Sequence, residues 1–421
     1  MRARPQKMSI YWKKKSHEEI KSIVFPALKK NIDYKQQHAL GIPASYLDEK
    51  VFNQNATFLS EAPYLSTLIH NPNHIGCHTL GSSESFFSGT QEIERELIDI
   101  CAVDILNGKE NEHDGYVASG GTEANIQAIW IYRNYYQQEH SASRDEICIV
   151  CSADSHYSMN KASDLLAIDL FKIPVTEYTR EVTAEAFKQT IEAAKKQNKR
   201  YFIVICNMMT TMFGSADNVD LFTEQLTQLN CNFKLHVDGA YGGFYYPFSE
   251  GQSKLTFENP HITSFTLDAH KMAQAPYGTG IFLIRKGLIE YVNTKQASYV
   301  EGDDLTLIGS RSGANAVAAW MILVKNGPFG WQEKVFILQK RTEWMCQQLD
   351  ALNIKFFRAP FSNIITIESS FIDEETRSFF GLVPDSHAHP LWYKIVIMDH
   401  VTIEKLSLVI DRIKENASHE A

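Results

Sequence analysis

Thr266-Leu-Asp-Ala-His-Lys-Met272 is the stretch on which the reading of the chain turns. The run leading into it, Ile262 to Leu267, is apolar and β-branched, as a short strand is. Pro276, Gly278 and Gly280 then mark a turn, and Ile281-Phe-Leu-Ile284 reads as the next strand. His270 and Lys271 therefore stand in a sharp turn at a strand end, where a side chain projects into a cleft. A lysine is most often a solvated surface charge. Lys271 departs from that pattern because of what precedes it.

Upstream, strand-like and helix-like stretches alternate. Glu92 to Ile105 carries apolar residues at helical spacing. Gly115 to Ser119 reads as a strand ending in Gly120-Gly121, after which Thr122 opens a helix to about Gln137. Glu146–Cys151, Arg200–Cys206 and Phe233–Val237 read as strands, the last two buried on both faces. Val182–Gln197, with Thr183 as its cap, and Leu221–Leu229 read as helices. Such alternation predicts an α/β domain with a mostly parallel sheet, whose ligands collect at the carboxyl ends of the strands. This large domain spans residues 61–310. Residues 1–60 show helical patches without a sheet core and read as an arm. Helices over Ala314–Lys325 and Trp331–Leu352, followed by shorter elements, suggest a smaller C-terminal α+β domain over 311–421.

The bulk properties exclude several classes. A chain of 421 residues with 44% hydrophobic and 22% charged residues is an ordinary globular composition. A net charge of −9 argues against a nucleic-acid partner. No apolar run reaches the roughly 18 residues of a membrane span, and the basic start is followed by no signal-peptide core. Seven scattered cysteines read as small buried thiols of a cytoplasmic protein. Cys148-Ile-Val-Cys151 has CxxC spacing but lies in a strand-like run without a second pair, so no metal site is expected.

Three clusters upstream of Lys271 carry chemistry. Ser119-Gly-Gly-Thr-Glu-Ala-Asn125 is a glycine pair opening a helix: a phosphate site, or a plain turn capped by Thr122. Ser155-His-Tyr-Ser158 offers a histidine that lies on a flat ligand or is merely hydrogen-bonded at the surface. His236-Val-Asp-Gly-Ala-Tyr-Gly-Gly243 ends a buried strand with a carboxylate, which is costly without a cation. Taken together, an anion site, a ring-stacking histidine, an aspartate for a ring nitrogen and a lysine for an aldehyde describe pyridoxal 5'-phosphate.

The ordered set Gly120–Asn125, Ser155–Ser158, Thr210–Asp217, His236–Gly243, Asp268–Met272 and Gly309–Gly313 resembles the group II pyridoxal-phosphate-dependent amino-acid decarboxylases of the aspartate-aminotransferase fold. The likeness is strongest to the tyrosine/aspartate decarboxylase type, with histidine decarboxylases further off. It covers about residues 65 to 320, and Lys394–Val401 looks like the family's closing strand. The resemblance implies that Gly120, Gly121 and Thr122 hold the phosphate and that His156 stacks on the ring. Thr210 or Thr211 would approach the cofactor edge, Asp238 would pair with the ring nitrogen, and Ala240 would leave room on the opposite ring face. Lys271 would hold the aldehyde, with Asp268 and His270 beside it. Ser310 would reach the phosphate of a partner subunit, so a homodimer is implied. Tyr299, in a polar stretch before Gly309, is the implied acid that protonates the product carbon.

The expected reaction is decarboxylation of an aromatic or acidic L-amino acid to its amine. A carbon–carbon lyase resembling sphingosine-phosphate lyase is the alternative, and a catalytically dead scaffold a remote one. Arg285 and Arg311 are candidates for an acidic substrate side chain. Tyr241, Phe244, Tyr245 and Tyr246 are candidates for an aromatic pocket, with core packing the commoner role. The loop from His70 through His74 to His78 has the spacing of metal ligands, but the resemblance places it at the cleft mouth, where it would meet a carboxylate. Ala269 and Met208-Met209 depart from the family, which commonly has a proline and a glycine there.

Overall fold

The computed structural model describes residues 9–33, 47, 52, 55–81, 85–249, 253–293 and 303–419. Period-two burial organises its larger sheet. Along β4 (Tyr201–Asn207), Phe202, Val204 and Cys206 enter one apolar cluster, while Ile203 and Ile205 enter the cluster on the opposite face. β2 (Ile147–Ser152) divides in the same way, so Cys148 and Cys151 point into opposite layers. Two thiols on opposite sides of a sheet cannot share a metal or form a redox pair. Each such Val, Ile or Phe contributes roughly 1.5–3 kcal/mol by leaving water, which makes these apolar runs central strands.

β1 (His113–Ala118), β3 (Asp169–Ile173), β5 (Asn232–Gly239), β6 (Ile262–Asp268) and β7 (Gly280–Arg285) complete a seven-stranded sheet in the order β1-β7-β6-β5-β4-β2-β3. The pairs β2–β3, β2–β4, β4–β5 and β5–β6 are parallel, while β7 is antiparallel to both its neighbours. β1 and β6 consequently point the same way. The carboxyl ends of β1, β2, β4, β5 and β6 therefore share one edge.

One face is covered by α4 (Gly121–His140) and α5 (Ser158–Leu166). The other is covered by α3 (Ser88–Asp99), α6 (Ala184–Lys196) and α7 (Val219–Gln228). Both β3 and α5 escape the sequence reading: β3 is a half-exposed edge strand, and only Ser158, Met159, Ala162 and Leu166 of α5 are buried. The helix expected over Glu92–Ile105 is α3 followed by a π-helical turn, Ile100–Ile105.

At the N-terminus, the Asp104 carboxylate accepts the backbone N–H groups of Ile10, Tyr11 and Trp12 at 2.8, 2.8 and 2.6 Å. The Trp12 indole donates to the Leu323 carbonyl at 2.7 Å. α1 (His17–Lys30) follows with a Ser16/Glu19 capping box, and α2 (Pro63–His70) and the single turn α8 (Tyr246–Ser249) are shorter pieces.

The two helices expected after residue 311 are one element, α9 (Gly313–Ala351), kinked at Gly327. Gly327 has φ 66° and ψ 171°, a region open essentially to glycine alone, and Pro328 follows it. Beyond it, β8 (Phe356–Phe357), β9 (Ile364–Glu368), β10 (Val383–Pro384) and β11 (Trp392–Val396) form an antiparallel sheet in the order β10-β11-β9-β8. α10 (Glu374–Phe380) and α11 (Ile403–His419) accompany it. Lys394 on β11 donates to the Thr211 carbonyl at 2.9 Å, tying the small sheet to the loop after β4. No helix among the described residues is long and apolar enough to cross a membrane.

Candidate active site

Five strand ends enclose a cavity of about 330 Å³, within the range of small-ligand sites. Ser119–Glu123 follow β1, His156 and Tyr157 follow β2, and Met209–Thr211 follow β4. Asp238, Ala240 and Tyr241 come from the end of β5; Asp268, His270 and Lys271 come from the end of β6.

One end of the cavity is built for an anion. α4 begins at Gly121 with Gly120 as its N-cap, and no side chain caps it. Thr122 is thus inside the first turn and does not serve as the cap. The Glu123 carboxylate turns back instead, accepting the Ser119 N–H at 2.6 Å and the Tyr116 hydroxyl at 3.2 Å. The open N–H groups and the positive end of a 20-residue helix face the cavity. Packing here leaves no room for side chains. A Cβ on Gly280 would lie 2.5 Å from the Gly120 carbonyl carbon, and one on Gly121 would lie 2.8 Å from Asp268 Oδ2.

Lys271 projects its amine to 3.1 Å from Asp268 Oδ2, and His270 Nε2 lies 3.6 Å from the same oxygen. Burial raises the pKa of Asp268 against the pull of Lys271 and His270. Asp268 Oδ1 and His270 Nδ1 are buried without a hydrogen-bond partner. Unmet polar atoms in a cavity wall are the mark of a site that a ligand completes.

The carboxylate of Asp238 is held by two donors. Oδ2 accepts the Asn125 amide at 2.9 Å, and Oδ1 accepts the Ala240 N–H at 3.1 Å. His156 accepts the Ser158 N–H at Nδ1, 3.2 Å away, and burial lowers its pKa, so its ring is neutral at physiological pH. A helix-terminus anion site, an amine, a carboxylate and the two orphaned polar atoms on one cavity fit pyridoxal phosphate.

The sequence comparisons agree. Residues 74–352 match the model of the pyridoxal-dependent decarboxylase conserved domain, and the chain belongs to that family. It is a pyridoxal-phosphate-dependent amino-acid decarboxylase. Over 412 residues it is 48% identical to a tryptophan decarboxylase of Clostridium sporogenes (strain ATCC 15579), covering 97% of this chain and 99% of that protein. A probable L-tyrosine/L-aspartate decarboxylase of Methanocella arvoryzae is 29% identical, over 85% of this chain and 95% of its own. Among solved structures, the L-methionine decarboxylase of Streptomyces sp. 590 superposes with a TM-score of 0.70 at 19% identity, over 82% of this chain and 87% of that one. That last likeness speaks for the fold.

Of the residues singled out in the sequence, Gly120, Gly121, Thr122, His156, Thr210, Thr211, Asp238, Ala240, Asp268, His270 and Lys271 all line this cavity. The Thr210 hydroxyl bonds Ser215 Oγ at 2.8 Å, whereas Thr211 is exposed. Ser310 lies outside the cavity, exposed, accepting the Asn73 amide at 3.2 Å. Tyr299 lies outside the described residues.

Other expectations need correction. His74 and His78 are fully buried, so they form no cleft mouth. His74 Nδ1 meets Glu94 at 2.5 Å and His78 Nε2 lies 3.4 Å from it. These three side chains converge as metal ligands would, but the Arg311 guanidinium already sits on Glu94 at 2.6 Å. Neither Arg311 nor Arg285 faces the cavity. Arg285 donates to the carbonyls of Ile262, Phe257 and Asn259. Of the aromatic set, Phe244 and Tyr245 are core, and Tyr241 is a cavity wall whose hydroxyl accepts the Asn363 amide at 2.7 Å.

Sequence reasoning passed over Asn125 and His236. The signals were present: Asn125 follows Gly121 by one helical turn, and His236 shares a strand face with Asp238. Met209 was seen only as a departure. At φ 70° it is the one buried residue among the described non-glycine residues with positive φ.

Replacing Gly280 with alanine forces Gly120 away, because the clash is with backbone. Gly280→Ala is expected to weaken pyridoxal phosphate binding, followed by absorbance titration, and to cost about 1–3 kcal/mol in a urea melt. Wild-type affinity in this variant contradicts the close packing of the anion loop.

Proposed function

We propose that the chain decarboxylates an aromatic L-amino acid, tryptophan foremost, to the corresponding amine. The observation that carries this reading is that no arginine is among the described residues that line the cavity. Both arginines considered for an acidic side chain are spent on Glu94 and on backbone carbonyls. Lys394, the nearby cation on β11, is bonded to the Thr211 carbonyl. Among the described residues an acidic side chain would meet no free guanidinium at this cavity, and a buried charge without such a partner is costly. The high identity to a tryptophan decarboxylase supports the same choice.

The residue roles proposed with this reading are those that the family resemblance implies, and the lining of the cavity supports them. The bound cofactor supplies a ring that delocalises the electron pair left when the carboxylate departs. α4 would grip its phosphate through the N–H groups of Gly121 and Thr122, with Gly120 allowing close approach. Asp238 would keep the ring nitrogen protonated. His156 and Ala240 would bound the ring, and Thr211 would approach its edge. Lys271 would hold the aldehyde, with Asp268 and His270 beside it. Tyr299 would be the acid that protonates the product carbon.

The same reading divides the chain into an arm (1–60), a cofactor-binding domain (61–310) and a small domain (311–421). It also makes the protein a cytoplasmic homodimer. Tyr277 is 88% exposed although its ring centroid is 5.3 Å from that of His270. Leu307 and Ile308, beside Ser310, are 42% and 41% exposed. A second copy would cover these apolar groups and bring Ser310 to its phosphate. The free state of all seven cysteines suits a reducing compartment.

Release of CO2 from a panel of amino acids tests the substrate. Tryptophan is expected to lead, with aspartate and glutamate inactive; turnover of aspartate alone sinks the aromatic reading. Cleavage of a phosphorylated amino alcohol without CO2 release from any amino acid would instead favour the lyase. Tyr299→Phe is expected to keep cofactor binding and to lose about 10²–10⁴-fold in amine formation. Undiminished turnover in that variant removes Tyr299 as the acid. Sedimentation at the mass of one chain would contradict the homodimer.

A further inference from the structure

We infer that His236 and Asn125 form a neutral relay that positions Asp238 and His156 together. The inference rests on the assignment of Asp238 to the ring nitrogen and goes beyond it, to side chains that need not touch the cofactor.

His236 is fully buried two residues before Asp238 on β5, and Ser264 is its cross-strand neighbour on β6. Ser264 Oγ lies 2.6 Å from His236 Nδ1, and the Tyr132 hydroxyl donates to Ser264 Oγ at 2.5 Å. Ser264 therefore spends its proton on His236 Nδ1. Burial pushes the His236 pKa down to about 4, so the imidazole is neutral and carries its single proton on Nε2. That N–H faces Asn125 Oδ1 at 3.0 Å, with the Thr266 hydroxyl oxygen beside it at 3.1 Å.

One orientation of the Asn125 amide follows. With its oxygen claimed by His236, its NH2 group must face the other way. There it donates to Asp238 Oδ2 at 2.9 Å and to Ser158 Oγ at 3.0 Å. Ser158 in turn contacts His156 Nδ1 through its hydroxyl at 3.0 Å and its N–H at 3.2 Å. A single amide thus links the carboxylate at the ring nitrogen to the imidazole on the ring face. A flipped amide would set its oxygen against the Asp238 carboxylate and its NH2 group against the His236 N–H. Every member of the relay is uncharged, so it orients Asp238 without neutralising it. The negative charge remains available to a protonated ring.

His236 and Asn125 are positioning residues on this account. The test is titration of the full-length protein with pyridoxal phosphate, following Kd and visible circular dichroism in His236→Leu, His236→Gln, Asn125→Leu and Asp238→Asn. A glutamine amide reaches the place of Nε2 and restores the N–H donor; leucine does not. His236→Leu and Asn125→Leu are expected to raise Kd about tenfold and to weaken the visible circular dichroism band. His236→Gln is expected to stay within about threefold of the wild type. A merely structural role would impair His236→Gln and His236→Leu alike, and that result overturns the relay. So does wild-type binding in a folded leucine variant while Asp238→Asn is impaired. If His236→Leu fails to fold, Asn125→Leu decides by the same criteria. Wild-type binding in Asp238→Asn overturns the assignment of Asp238 itself, and the relay with it.

Discussion

A carboxylate at the end of a buried strand needs a cation, and Asp238 supplies the constraint around which the site is built. It is 7% exposed, and its contacts are N–H donors of Asn125 and Ala240, neither of them charged. Desolvating an ionised group costs several kcal/mol even after relaxation. Hydrogen bonds from neutral donors offset part of that, and on the proposed assignment a protonated ring nitrogen would offset the rest. The sheet makes this arrangement possible by delivering five strand ends to one edge, so that Lys271, from the end of β6, lines the same cavity.

A second buried charge plays a structural part. Burial alone would raise the pKa of Glu94, but Arg311, followed by His74 and His78, holds it well below the usual carboxylate range. Glu94 Oε1 also accepts the Val117 N–H at 2.7 Å, and Arg311 donates to the Val117 carbonyl at 2.9 Å. Arg311 further donates to the Gly76 carbonyl. The pair thus clamps β1 just before Ser119 and Gly120, where the anion loop begins. This accounts for an arginine and two loop histidines that read in the sequence as substrate or metal ligands and that do not line the cavity.

Much of this was legible in the chain itself. Lys271, Asp238, His156 and the Gly120–Gly121 pair stand out because each is a polar or glycine residue at the end of an apolar run, a local pattern. The central strands were legible for the same reason. β3 and α5 were not, because a half-exposed edge strand and a short helix bury too few side chains to impose a period. The fates of Arg285, Arg311, His74 and His78 were hidden for another reason. Their partners lie far away in sequence, and nothing local tells a buried ion pair from a substrate clamp. His236 and Asn125 lie between these cases: the spacing puts each on the right face, but only the fold shows that they meet.

The most direct test of the central claim is chemical. The protein loaded with pyridoxal phosphate is reduced with borohydride, digested and mapped by mass spectrometry. The account predicts loss of the yellow colour and a single pyridoxyl-modified lysine, Lys271. A label on Lys394 or another lysine, or a protein that stays colourless with excess cofactor, would contradict it.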